Sequence, residues 1–283
     1  MSARTPSVPL PARVRARAAL AAGLAAAALL TGCSAGAGGV RPAAEPPRSS
    51  GPSGPPGGKP EAVSDRKAAA AGGAGARVRA GDDRPRLAIP GLGPRTMARV
   101  GQRTRQVFVV SADGAGANRS TAALWERHPA EGWRRTAGPW PARNALKGWT
   151  DDHRMDDLRS PTGVYGLTDA GGLLPDPGTE LPYDRGPAFQ APPGTNFDGE
   201  PLTGAFDHVV AINYNRVPGR TPLDWETPLG LGKGRGIWIH ADHGGATRGC
   251  IAVARTKVAE LLRKLDPGAR PVIAMGPETT LAR

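Results

Sequence analysis

Apolar and polar positions change their pattern twice along this chain. From Ala18 to Leu30 every position is apolar or small. From Ser34 to about residue 85, aromatics and branched apolar residues are scarce. Beyond about residue 86, short apolar runs return at intervals, with Gly, Pro, Asn and Asp between them. The runs QVFVVSA (106–112), STAALWER (120–127), GVYGLT (163–168), HVVAINYN (208–215), GIWIHA (236–241), GCIAVA (249–254) and RPVIAM (270–275) are rich in β-branched and aromatic residues and have strand lengths. One segment has helical spacing: in TKVAELLRKLDPG, Val258, Leu261, Leu262 and Leu265 recur on one face, Thr256 is placed to cap the start, and Pro267 with Gly268 ends it.

Many strands with so little helix predict a mainly β domain, a sandwich or open barrel with one or two short helices, and no internal repeat is visible. Two stretches, residues 141–163 and 216–235, show little regular pattern. The second lies between two expected strands, where long loops often cover a site.

The first third carries a different message. Arg13, Arg15 and Arg17 precede the apolar run, which is too short to span a bilayer and has the layout of an export signal. The run leads into Leu30-Thr31-Gly32-Cys33, which resembles the lipobox of bacterial lipoproteins, so residues 1–33 are expected to be a signal segment with Cys33 as the lipidation site. Residues 34–85 bury too little apolar surface to offset the entropy of ordering them and are expected to form a disordered tether. Residues 86–283 are then the folded domain, exported and held at the outer face of the cytoplasmic membrane.

Composition adds a net charge of +12, with 37 basic and 25 acidic residues. Residues 1–32 hold four arginines and no acid, so a chain starting at Cys33 would carry +8. Such a balance favours an anionic partner. Export excludes nucleic acid and leaves the cell wall and the membrane surface.

Of the two cysteines, lipidation of Cys33 would leave Cys250 without a partner, which flags a potentially reactive thiol. Acyl transfer by a thiol needs a base or cation to raise the thiolate near neutral pH and fixed donors for the oxyanion. His240 ends one expected strand and Cys250 begins the next. The turn-rich ADHGGATRG between them would bring the two side chains together at one sheet end. Gly249 lets the backbone approach a substrate, and Arg248 adds a cation to lower the thiol pKa or hold a carboxylate.

These residues, in the order His240, Thr247, Gly249, Cys250, Ile251, Ala252, resemble the L,D-transpeptidase (YkuD-like) catalytic domain in its form with a TAGCIA-type motif. GPWPARNALKGWTDDHR…RSPTGVYGLT (138–168) and DHVVAINYN (207–215) resemble its preceding elements, so the similarity extends over roughly residues 104–276. The resemblance implies that Cys250 attacks the carbonyl before the terminal D-Ala of a peptidoglycan stem tetrapeptide. D-Ala leaves, and the resulting thioester passes to the amine of a neighbouring stem as a 3→3 cross-link. It implies His240 as general acid and base, Gly249 and Cys250 backbone N–H groups as the oxyanion donors, and no metal or organic cofactor. Arg248 and Ala252 depart from the commoner pattern, which carries His and Arg there, and Arg248 is expected to take over a substrate carboxylate. Thr247, Tyr214, Trp225 and His243 complete the expected substrate-binding set, on a monomer whose partners are stem peptides and the membrane.

Other readings are weaker. His240, Asp242, His243 and Cys250 include zinc-ligand types but lack a common spacing. The DDHRMDD run (151–157) lacks the ligand alternation of a calcium loop and reads as a solvated acidic turn. An L,D-carboxypeptidase, or a wall-binding lipoprotein that keeps the scaffold without turnover, are the functional alternatives.

Overall fold

The computed structural model describes residues 87–283. The expected signal segment, the tether and Cys33 lie outside these residues. Strands β1 (Gln106–Ala112), β2 (Arg119–His128) and β3 (Gly132–Arg143) come first, followed by the two-residue β4 (Trp149–Thr150) and β5 (Ser160–Pro161). Then come β6 (Gly163–Gly172), β7 (Tyr183–Arg185), β8 (Val209–Ile212), β9 (Trp238–Ala241), β10 (Ile251–Val253) and β11 (Val272–Pro277). Helices are α1 (Pro94–Val100), α2 (Arg255–Lys264) and α3 (Glu278–Leu281). No helix among the described residues is long and apolar enough to cross a membrane.

The main sheet runs β11-β1-β2-β3-β10-β9-β8-β6-β7, and β11 also pairs with β6. That last pairing, with Val272 opposite Gly166 and Met275 opposite Gly163, closes the sheet into a barrel. The fold is mainly β as expected, and closed where an open form was equally compatible with the pattern. Closure satisfies backbone groups that two edge strands would otherwise expose.

The continuous apolar character of β1 has a direct cause: it is buried on both faces. Phe108 and Val110 enter the barrel core with Leu124, Ile212, Ile239, Ile251 and Ile273. Val107 faces the other way, into a second cluster with Ile89, Leu92, Val100, Trp125, Trp133 and Leu281. On α2, Val258, Leu261 and Leu262 are buried as their spacing predicts. Each such side chain contributes about 1.5–3 kcal/mol relative to exposure. The cap differs from expectation: the residue before α2 is Ala254, without a side-chain cap, and Thr256 lies inside the first turn.

Strand β3 has no counterpart in the sequence reading, because GWRRTAGPWPAR carries two glycines and two prolines. It pairs along β2 from His128↔Gly132 to Arg119↔Arg143. On its other side β10 reaches only Ala142 and Arg143. Pro139 and Pro141, two residues apart, therefore occupy an otherwise free edge, where a missing N–H donor costs nothing. Helix α1 was also missed; its seven residues, with Pro94 in the first turn, are too few to show a period.

Candidate active site

Strands β9 and β10 are parallel neighbours, with Ile251 opposite Ile239, Ala252 opposite His240 and Val253 opposite Ala241. This corrects the expected geometry, in which the 242–250 connection was a bend joining two strands at one end. The chain instead returns, so Cys250 lies level with the start of β9 and diagonal to His240. Ile239, Ile251 and Val253 are in the barrel core. By the period-two alternation of strands, Trp238, His240, Cys250 and Ala252 share the opposite face. Two residues along the strand and one strand across separate the Cys250 and His240 Cα atoms by roughly 8 Å. The aromatic contacts agree with that face: Phe206 meets Trp238 edge-on at 5.3 Å and His240 at 5.2 Å.

His240 is 3% exposed. Its Nδ1 lies 2.9 Å from the Ala241 carbonyl. A carbonyl can only accept, so Nδ1 carries the proton and Nε2 keeps the lone pair a base needs. Burial lowers the His240 pKa to about 4. Burial also pushes the Cys250 thiol up to about 11. The resting couple is therefore imidazole and thiol, both neutral, rather than the ionised sulfur that thiol reactivity had suggested. The thiol sits against β9, accepting from Trp238 N–H at 3.4 Å and donating to the Gly236 carbonyl at 3.5 Å.

The turn before Cys250 is fixed at two successive carbonyls. Ser160 Oγ donates to Gly249 O at 2.8 Å and accepts from Ala145 N–H at 3.1 Å. Thr247 Oγ1 donates to Cys250 O at 2.6 Å. Because a trans peptide is planar, holding the Gly249 carbonyl toward Ser160 turns the Cys250 N–H the opposite way. Neither the Gly249 nor the Cys250 N–H meets a turn, loop or side-chain acceptor among the described residues. Such amides are available to a developing oxyanion. A β-carbon on Gly249 would meet Ile237 Cδ1 at 2.9 Å, with Arg159 O and His153 Cε1 at 3.6 Å. The glycine thus makes room for the protein's own floor, whereas the sequence had suggested room for substrate.

The structure separates the expected substrate-binding residues. Trp225 is 75% exposed, and the Arg235 guanidinium stacks 3.2 Å from its ring centroid. Both line a groove of about 520 Å³ with Met155, Leu223, Gly236 and Trp238, beside the carbonyl that holds the Cys250 thiol. Arg248 is exposed and lies 5.0 Å over Phe197. Thr247 is buried and positions the Cys250 carbonyl, so it faces inward rather than toward a ligand. Tyr214 is buried too, with its hydroxyl on Lys233 O at 2.9 Å and its ring against His153 and Tyr165. It ties two loops together from below and does not reach the cleft. His243 stacks on His240 at 5.7 Å with its side chain 4% exposed, and its Nδ1 lies 3.4 Å from Glu200 Oε1. It is a buried support rather than an open loop residue. Asp242 turns away from both histidines to Arg143, at 3.2 Å.

Most of the DDHRMDD run is the solvated turn its composition suggests, since Asp151, Asp152, Arg154, Met155 and Asp156 are exposed. His153 is not: it is 5% exposed, sits edge-on to Tyr214 and brings Nδ1 within 3.0 Å of Asp157 Oδ1. It forms the wall behind Gly249. Sequence reasoning missed His153, Ser160 and Asn144, whose carbonyl receives Thr247 N–H at 3.0 Å. The sole hint was a lone histidine amid acids.

Two buried anchors hold the patternless loop after β8. Asn215, in the left-handed region at φ +46°, donates to the Gly230 and Gly234 carbonyls and accepts from Leu229 N–H. Arg216 pairs with Asp169 at 2.7 Å, with 6% and 2% side-chain exposure. Asp169 also accepts from Thr168 Oγ1 and Gly219 N–H. Asp169→Ala would leave the guanidinium buried and unpaired, a defect worth about 3–5 kcal/mol. Urea titration is expected to show that loss; a midpoint shift equivalent to under about 1 kcal/mol would contradict the anchoring role.

Comparison with known proteins adds one match. Residues 152–273 match the family model of the YkuD L,D-transpeptidase catalytic domain. The matched span begins inside the DDHRMDD run and ends in β11, and so takes in His153, His240 and Cys250. It is narrower than the 104–276 drawn from sequence, and β1–β3 complete the barrel from outside it. No curated protein and no solved structure matches the chain.

Proposed function

We propose that this L,D-transpeptidase-type domain cross-links peptidoglycan stem peptides through a thioester on Cys250. The observation that supports the reading is the register of β9 and β10, by which Cys250 and His240 share one face, with the thiol's partners Gly236 and Trp238 lining the Trp225 groove.

In the proposed cycle a stem tetrapeptide lies in the groove with its penultimate carbonyl at the sulfur. As Sγ adds to that carbon, the thiol proton passes to His240 Nε2, and the carbonyl oxygen takes the electron pair. The unengaged Cys250 and Gly249 amides hold that oxyanion. Collapse breaks the C–N bond, His240 returns the proton to the departing amine, and D-Ala leaves. The amine of a neighbouring stem then attacks the thioester, gives up a proton to His240 and restores the thiol. Both groups start and end neutral, which suits a couple whose pKa values burial has moved apart, to about 4 and about 11. The exposed Arg248 and the Arg235 guanidinium over Trp225 supply cations for stem carboxylates.

No metal or organic cofactor takes part in this scheme. The chain acts as a monomer, anchored through lipid on Cys33 at the outer face of the cytoplasmic membrane, with residues 34–85 spanning toward the wall. Incubation of purified protein with disaccharide-tetrapeptide tests the reading. Cross-linked dimer with free D-Ala is the expected product. Tripeptide alone would make the enzyme an L,D-carboxypeptidase, and unchanged substrate would leave a wall-binding scaffold.

A further inference from the structure

Away from Cys250, the segment before β1, the end of β2 and the turn before β11 line an open cleft of about 550 Å³. Its walls carry Arg103, Arg105, Arg127 and Arg270, with Gln102 and Gly268 between them. All four arginines are exposed. They have little internal compensation. Arg103 and Arg270 make no side-chain hydrogen bond or ion pair with another described residue. Arg127 donates to the Gln102 carbonyl at 3.1 Å. Arg105 reaches Asp266 only at 3.7 Å, and the other Asp266 oxygen is occupied by Gly268 N–H at 2.6 Å. Arg270 is held at φ 52°, ψ 62°, a left-handed conformation that a β-carbon disfavours.

Four cations around one concavity raise its positive potential and favour an anion there. Guanidinium forks match the paired oxygens of phosphate, and the volume suits a ligand of several such groups. The site is remote from the thiol. Pro129, beside the tip of the β2–β3 hairpin, is in its wall, whereas the far end of β3, Arg143, pairs with Ala252, two residues past Cys250. The nearer wall, at Arg270, is four strand spacings from Cys250 by way of Leu167, Ile212 and Ile237, roughly 20 Å. The two sites share no lining residue.

We propose that this arginine cleft binds consecutive phosphate groups, presented by a free phosphate chain or by anionic lipid headgroups. The test compares the full chain with the R103Q/R127Q/R270Q variant, using short-chain polyphosphate, phosphatidylglycerol vesicles and polyglutamate of matched charge as probes. The basic N-terminal segment is common to both proteins, so their ratio reads the cleft. Affinity for polyphosphate is expected to fall at least tenfold in the variant, and the slope of log affinity against log salt to shrink by about two to three. The melting temperature and the rate of carbapenem adduct formation at Cys250 should stay the same. A loss confined to polyphosphate assigns the cleft to a free chain, and a parallel loss on vesicles extends it to headgroups. Unchanged affinity in the variant overturns the site, and an equal loss with polyglutamate overturns its assignment to phosphate.

Discussion

Cys250→Ala is expected to abolish covalent capture by a carbapenem and all release of D-Ala, at least a thousandfold below the wild type, with the fold intact. The alanine removes only the sulfur, and the carbonyls around it stay held by Ser160 and Thr247. Intact-mass spectrometry should show one adduct on the wild type and none on the variant. The pH dependence gives a second reading on the same protein. A simple alkylating reagent needs thiolate, and a thiol pushed up to about 11 has little of it at neutral pH. Alkylation by iodoacetamide should therefore be slow at pH 7 and rise about tenfold per pH unit toward 11. Acylation by a carbapenem, in which the proton leaves as the bond forms, should be nearly flat from pH 6 to 9. Alkylation that is fast and flat from pH 6 to 9 would show that the sulfur is already ionised at rest, against the neutral couple.

His240→Gln is expected to lower acylation by about 10²–10⁴-fold, the range a positioned general base contributes. Gln can keep a hydrogen bond to the Ala241 carbonyl, so the loss isolates the Nε2 lone pair from the packing. The same substitution should alter acid stability in a defined direction. Burial holds His240 neutral in the folded state down to about 4, while an unfolded histidine takes a proton near 6.5. Between those values the unfolded chain binds the extra proton. The stability owed to keeping this ring neutral is therefore full above pH 6.5 and is lost as pH falls toward 4, by about 3 kcal/mol in all. Denaturant titrations across that window should slope for the wild type and flatten for the variant. Equal slopes would place the acid sensitivity elsewhere, with His153, also buried and also lowered, next in line.

How much of this was readable beforehand depends on whether the deciding contacts are local. Strands β1, β2, β6, β8, β9, β10 and β11 show as apolar runs because each buries side chains in the core. Strand β3 does not, because its prolines are permitted by an absent neighbour, and no local window records an absence. Tyr214, just past β8, and Trp225, in the loop that follows, show the same limit. Tyr214 and Trp225 look alike as polar-tipped rings near a glycine-rich loop, yet one is buried under the loop and the other stands on its outside. His243 belongs to the loop in sequence and to the underside of His240 in space.

By itself the sequence determined which atoms are available for chemistry: a thiol after a glycine, a histidine ten residues earlier and basic residues around them. It also determined a mainly β chain, since strand-length apolar runs can be buried in few other ways. The tertiary structure alone decided that β9 and β10 run parallel, which sets Cys250 diagonal to His240 instead of across a bend. It alone decided the protonation of that couple, because desolvation depends on Phe206 and His243 packing around the ring. Residue types travel with the chain; strand direction and water exclusion arise only when distant segments meet.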